Sequence, residues 1–460
     1  MLNSKAVAAL CALVMLPLSA AADDVAELRA ELQAMKADYG ARVERLEARI
    51  QLLDAASVAG AAAADAAAML PAPESAPPPP PAGGGGISAF NPSISVVLGG
   101  TYTNARRDPE SWNIAGFTPA GDEIGPGERS FHLGESELTI AANVDPYFSA
   151  QLTAAITGED QIEVEEAFVR TSSLPDGFTA KLGRFFSGLG YLNEVHTHAW
   201  DFVDQPLAYQ AMFGGQFKQN GVQVKWIAPT DLFLEFGVEA GNGDSFPGTR
   251  RARNGFGATT LFAHAGGDAG DFASWRAGAS WLSTKAEERN AFVDPLLDGF
   301  TGDSRTWVAD AVFKWAPSPH RQLKVQAEYL RRIESGAFTF DPAGIVLPVA
   351  YVNTQQGWTV QTVYQFAARW RAGLRYDQLD SGNPRYRPLE VSAVDFGPVA
   401  AAHPQRVSVM LDWNPSEFTR LRAQYDFDDA RDDGPGVGEG DRIFRLQYLF
   451  GIGAHGAHKY

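Results

Sequence analysis

From about residue 91 to the C-terminus, apolar and polar side chains alternate in segments of roughly ten residues. The connections between these segments alternate short and long. Alternation with period two places successive side chains on opposite faces of a strand. A chain in which every strand has one fully apolar face, and every second turn is tight, fits a closed antiparallel barrel in a membrane, where each backbone polar group must find a partner within the protein. Sixteen strands are expected, over 91–104, 131–144, 147–157, 162–172, 178–187, 220–228, 231–241, 256–265, 273–285, 305–316, 322–333, 356–366, 369–380, 406–413, 418–429 and 441–452. The apolar faces carry aromatics on strand after strand, as in Trp307, Ala309, Ala311, Phe313 and Trp315, or Phe444, Leu446, Tyr448 and Phe450. Gly158 to Gln161 is a short connection where a long one is due. An even strand count puts both ends of the barrel on the side of the short turns, which is the periplasm.

Three segments precede the barrel. Lys5 and the apolar run Ala6 to Leu18, ending in Ser19-Ala20-Ala21-Ala22, read as a signal peptide over 1–22. The single cysteine, Cys11, lies inside that run, and Ala8-Ala9-Leu10 before it is a poor lipoprotein match. The mature chain therefore has no disulfide, and barrel closure must supply the stability. Over 23–54, Val25, Leu28, Leu32, Met35 and Tyr39, then Val43, Leu46, Ile50 and Leu53, recur at steps of three and four. One extra step of four, from Tyr39 to Val43, is a stutter. The pattern predicts a periplasmic coiled-coil helix, the plainer reading being an isolated amphipathic helix resting on another surface; a homotrimer is expected because barrels of this kind are commonly trimeric. Residues 55–86 turn Ala-, Pro- and Gly-rich and read as linker, leaving 87–460 for the barrel. The fold expectation is thus an all-β transmembrane barrel of about sixteen strands with an N-terminal coiled coil.

Charge matters only once it is placed on these faces. The formal net charge of −17, from 55 acids and 38 bases, argues against a nucleic-acid partner. On the polar face, expected to line the pore, the early strands carry Glu135, Glu137, Glu163, Glu165, Glu235 and Glu239. The later strands carry Arg276, Lys314, Lys324, Arg371, Arg375, Arg406, Arg420, Arg422 and Arg445. One wall is acidic and the other basic, which predicts a transverse field across a water-filled lumen. The same charges could instead pair between neighbouring strands and simply keep the lumen wet.

The segment 188–219, after the fifth strand, is too long and too aromatic for a plain surface loop. It holds His196, His198, Asp201 and Asp204, a set able to ligate a divalent metal such as zinc. The plainer reading is a hydrogen-bonded loop that pins itself to the barrel wall. His455 and His458 in the tail raise the same choice. No Gly-x-Ser-x-Gly, phosphate loop or His-Glu-x-x-His occurs, so no enzyme is expected and no cofactor beyond that metal.

The stretches Ile87-Ser88-Ala89-Phe90-Asn91-Pro92, Leu133-Gly134-Glu135-Ser136-Glu137-Leu138, Ala142-Asn143-Val144-Asp145-Pro146-Tyr147, Val164-Glu165-Glu166-Ala167-Phe168 and Gly183-Arg184-Phe185-Phe186 through His198-Ala199-Trp200-Asp201 resemble a group of proteobacterial outer-membrane proteins. That group is similar to the phosphate-selective porin class, and some members carry the label of zinc-regulated TonB-dependent receptor. The resemblance spans 87–460. It implies a porin fold in the outer-membrane lipid and diffusion of small hydrophilic solutes. In general porins the loop at the position of 188–219 folds into the barrel and narrows it. The receptor label conflicts with length, since energy-coupled receptors need twenty-two strands and a plug. Two other functions fit the sequence: a zinc-linked uptake or binding protein using the histidine/aspartate loop, and an envelope tether with a closed barrel.

Overall fold

The computed structural model describes residues 92–453, apart from 110–111, 119, 121–123, 157–160, 250–253, 290–296, 341–346, 388–400 and 432–439. The signal peptide, coiled coil and linker expected before the barrel, and the histidine tail after it, lie outside the described residues. Eighteen strand segments form one closed antiparallel sheet. They are β1 (Ser93–Ala105), β2 (Ser130–Leu133), β3 (Ser136–Asn143), β4 (Phe148–Ile156), β5 (Ile162–Thr171), β6 (Phe178–Phe186), β7 (Lys218–Ile227), β8 (Phe233–Gly241) and β9 (Ala258–Asp268). The second half comprises β10 (Ala273–Arg289), β11 (Leu297–Ser318), β12 (Arg321–Phe340), β13 (Leu347–Ala367), β14 (Trp370–Asp380), β15 (Arg385–Arg387), β16 (Gln405–Ser416), β17 (Thr419–Asp428) and β18 (Asp441–Gly453). β2 and β3 both pair with β1 and make one stave, interrupted at Gly134-Glu135. β15 is a short side strand on β13, beyond the end of β14. The barrel therefore has sixteen staves, and β1 closes it against β18, with Ser95 opposite Gly453.

Alternation sets which face each side chain occupies. On β11 the even positions from Ser304 to Val312 are buried, while Trp307, Ala309, Ala311, Phe313 and Trp315 are exposed on the outer face. Exposed aromatics ring the barrel beside the short turns: Phe148, Phe178, Trp315, Phe366, Trp370, Trp413 and Phe418. Trp307 and Trp358 repeat this one level up, eight residues along their strands from Trp315 and Phe366. Eight residues at about 3.3 Å rise, tilted by roughly 40°, separate the two levels by about 20 Å along the barrel axis. That is the spacing of interfacial aromatic girdles across a hydrocarbon layer.

Two local features depart from plain alternation. β5 contains Glu163, Glu165 and Glu166, and a regular strand would aim either Glu165 or Glu166 at lipid. The register slips between Thr153 and Ala154, so that Thr153 faces Glu166 while Ala154 faces Val164. This bulge buries both Glu165 and Glu166 on the inner side. Secondly, β11, β12 and β13 run 20–22 residues, far beyond the outer girdle. There the polarity inverts. Phe300, Phe338 and Tyr351 point inward and stack on one another, with ring centroids 4.7–5.8 Å apart, while Arg305 and Arg331 point out into water.

Candidate functional site

The inside of the barrel is not an empty pipe. The β6–β7 connection, 187–217, folds back through the lumen. Pro206 opens the helix Leu207–Phe213, and Gly214, at φ 66°, closes it in a left-handed conformation. All seven helix residues are buried, as expected for a helix that is apolar apart from Gln210, whose amide donates to the Gln205 carbonyl and accepts from Gly125 N. The helix packs with Leu189, Leu192, Trp200, Leu282, Val308, Leu330 and Leu379 into one apolar cluster. The first long connection, 106–129, descends onto the same cluster with Trp112, Ile114 and Phe117.

Backbone amides of the loop are stitched to inward-facing carboxylates. Gly188 N donates to Glu239 Oε1 at 2.9 Å and Leu192 N to Glu328 Oε1 at 3.1 Å, while the Tyr209 hydroxyl donates to Glu328 Oε2 at 2.6 Å. Each satisfies a buried polar group that would otherwise cost about 1–3 kcal/mol.

The charged residues of the loop divide between two arcs of the wall. His196 and His198 face the acidic arc. His196 Nδ1 lies 3.2 Å from Glu137 Oε2 and 3.3 Å from Glu165 Oε2, and its Nε2 lies 3.1 Å from Glu166 Oε2. His198 Nδ1 lies 2.7 Å from Glu137 Oε1, and the Thr197 hydroxyl donates to Glu135 Oε2 at 3.0 Å. The two imidazoles stack with centroids 5.9 Å apart. Burial lowers the His196 pKa, but its bonds to the three carboxylates outweigh burial and hold it well above the ordinary value.

Asp201 and Asp204 face the basic arc instead. Lys324 and Arg371 hold Asp201 at 2.9 and 3.1 Å. Arg375 holds Asp204 at 2.7 Å, with Arg406 on its second oxygen and Arg445 at 3.6 Å. Burial raises the Asp204 pKa, and these three guanidinium groups overcome it and drive it far below the usual carboxylate range. Arg420 and Arg422 donate to the Trp200 carbonyl at 3.2 and 2.7 Å.

The tetrad His196, His198, Asp201 and Asp204 is therefore split, since its acids are bound to cations of the other arc. Among the described residues, the metal-capable group with ligand atoms within 4.8 Å is Glu137, Glu165 and His196. The expected pore-lining residues all lie on the inner side, but few face open water. Lys218 neutralises Glu163 at 3.2 Å, and Lys225 and His264 take Glu235 at 2.8 and 3.1 Å. Arg276 reaches Asp310 at 3.4 Å, Arg422 reaches Asp412 at 2.8 Å, and Arg445 bonds Asp426. Lys314 is half-buried next to Lys324. The acidic arc (β3–β8) and the basic arc (β10–β18) meet at β1 and at β9 and face each other across the lumen, with the loop between them. Sequence reasoning placed Glu328 on the inner face and recognised a long connection at 105–130, but missed the inward placement of Glu166 and the descent of the 106–129 loop into the lumen. Glu166 had a signal, as a second charge that no lipid-facing position could hold.

Two cavities flank the infolded loop among the described residues. One of about 430 Å³ lies between the loop and the wall of β18, β1 and β3–β5. Glu128, Glu135, Glu163, Glu165, Asp204, Lys218 and Arg445 line it. The other, about 410 Å³, opens near the short turns between Tyr191, Glu194, Lys225, Glu235 and Arg276. Glu194 and Val195 line this second cavity and Thr197 the first, so the turn carrying His196 is the partition between them.

The barrel has counterparts among solved structures. A loop-deletion form of OmpT, an outer membrane protein of Vibrio cholerae, matches 79% of this chain and 100% of its own, at 11% identity and TM-score 0.50. The two share the closed antiparallel β-barrel fold. The channel DcaP of Acinetobacter baumannii aligns over 80% of this chain and 99% of its own, at 12% identity and TM-score 0.47. An anion-selective porin from Comamonas acidovorans aligns over 78% and 99%, at 12% identity and TM-score 0.47. In sequence, an uncharacterized protein of Aquifex aeolicus is 29% identical over 400 residues, 81% of this chain and 80% of that one. No family model matches the chain.

Proposed function

We propose that this porin-fold barrel is an outer-membrane channel for passive diffusion of ions and very small hydrophilic solutes, with no catalytic step. The observation that carries this is the polar cavity of about 430 Å³ left between the infolded loop and the wall. A structural plug would gain by burying apolar surface there. Beside Phe186, Trp200 and Val203, this cavity is instead lined by many charged and amide side chains that require water. The apolar exposed band and its two girdles support placement in the outer membrane. Five of the seven charged residues lining the cavity are acids; Lys218 is paired with Glu163 and Arg445 with Asp426, and Asp204 is held by arginines, which leaves Glu128, Glu135 and Glu165 as the acids not offset by a lysine or arginine. The basic arc is occupied in holding Asp201, Asp204 and loop carbonyls. The accessible path is therefore acid-lined and favours cations, in place of the phosphate preference that the family resemblance suggests.

Single-channel recording of the purified full-length protein in a planar bilayer tests this. Discrete, small conductance steps are expected. Absence of steps would favour the second reading, a closed envelope tether, for which the apolar cluster that fills the mid-lumen speaks. We further infer a homotrimer. The staves from β3 to β6 have only 8–10 residues against 17–22 in β10–β13, leaving a low wall suited to contact between copies. Cross-linking in native membranes should give a three-chain product; a ladder ending at the monomer would contradict it.

A further inference from the structure

The partition between the two cavities holds more carboxylate than its hydrogen bonds use. Glu137 is 3% exposed, and its Oε2 receives no aligned hydrogen bond although His196 Nδ1 is 3.2 Å away. The same nitrogen is 3.3 Å from Glu165 Oε2, so two buried oxygens compete for one N–H. The buried Oε1 of Glu135 is also without a hydrogen-bond partner. Four glutamates, Glu135, Glu137, Glu165 and Glu166, thus crowd two imidazoles. Two of the four reach that position only through the β5 bulge.

We propose that Glu137, Glu165 and His196 bind a divalent first-row transition cation such as Zn²⁺ at this partition. Their three ligand atoms lie within 4.8 Å of one another. In a tetrahedral site with bonds of about 2.0–2.1 Å, neighbouring ligand atoms are about 3.3 Å apart. The two edges to the imidazole nitrogen, 3.2 and 3.3 Å, already have that length. The imidazole nitrogen selects against Mg²⁺ and Ca²⁺, which take oxygen ligands. Phe186 packs edge-on against His196 at 5.3 Å and fixes the ring orientation. Glu166, 3.1 Å from the other ring nitrogen, is the acceptor that holds a metal-bound histidine in the required tautomer. Binding converts Nδ1 from a proton donor into a ligand and releases that proton. The bound ion then clamps the loop to β3 and β5. The site does not depend on conduction, and its test reads binding alone.

The experiment is isothermal titration of Zn²⁺ into the full-length protein in detergent micelles after chelator treatment. Wild type should take one saturable ion per chain. His196→Asn and Glu165→Gln should each weaken binding at least about tenfold. Glu165→Gln keeps the hydrogen-bonding shape, and unchanged β-sheet circular dichroism in both variants shows that the barrel still folds. His264→Asn, at the separate Glu235 site, should bind as wild type. Absence of Zn²⁺ binding in wild type, or binding that survives both His196→Asn and Glu165→Gln, as it would at the tail histidines, would overturn the proposal.

Discussion

At the scale of single residues, Asp204 is the anchor between loop and wall. Asn at this position keeps the volume and the bond from Gln424, but removes the charge facing Arg375, Arg406 and Arg445. Breaking a buried ion pair from one side typically costs about 3–5 kcal/mol. Asp204→Asn should therefore lower thermal stability and open 200–206 to protease, and an unchanged melting profile would refute the anchor. The same group sets an acid limit. Its pKa in the folded protein lies far below the unfolded value of about 3.9, so its contribution is complete above that value. It disappears only as pH falls through the depressed folded value. Hydrogen-exchange protection of residues 201–204 should be equal at about pH 7 and pH 4.5. Loss of protection between them would show that Asp204 titrates normally. The inward face of nearly every charged residue was legible in the sequence, because a lipid-facing charge is prohibitive. Their partners were not. Alternation fixes a face, whereas the meeting of Asp204 with Arg406 depends on a loop trajectory that no period encodes.

The elements differ in how far pattern determines them. Trp315, Phe313 and Trp307 marked β11 because lipid demands apolar side chains along one whole face. Above the membrane that demand ends. The outer halves of β11, β12 and β13 therefore read as loops, although Phe300, Phe338 and Tyr351 continue the ladder with aromatics turned inward. The helix Leu207–Phe213 was likewise hidden, being too short and too uniformly apolar to show a period. Its end is governed by Gly214. A Cβ there would stand 2.0 Å from the Ala120 carbonyl oxygen, on a backbone at φ 66°. Left-handed backbone costs a non-glycine residue about 1–2 kcal/mol before any clash. Gly214→Ala should displace the 106–129 loop from the helix and raise proteolysis within it, leaving the barrel assembled. Unaltered cleavage would mean that the two loops do not support each other.

For the whole molecule, the loop reverses what composition suggested. An acidic arc and a basic arc invited the picture of a field across an open lumen. The chain instead lays its own histidines against the acids and its own aspartates against the arginines. The remaining water follows the acidic side. On the proposed channel reading, selectivity would follow from which arc the loop leaves uncovered, more than from net charge. The most direct measurement of this account is the reversal potential of the purified channel under a potassium chloride gradient at neutral pH. A potential of the sign for potassium over chloride is predicted, because Glu128, Glu135 and Glu165 line the open cavity while the basic arc is covered. Preference for chloride would contradict it, since the ions would then be passing along arginines that the loop is held to cover.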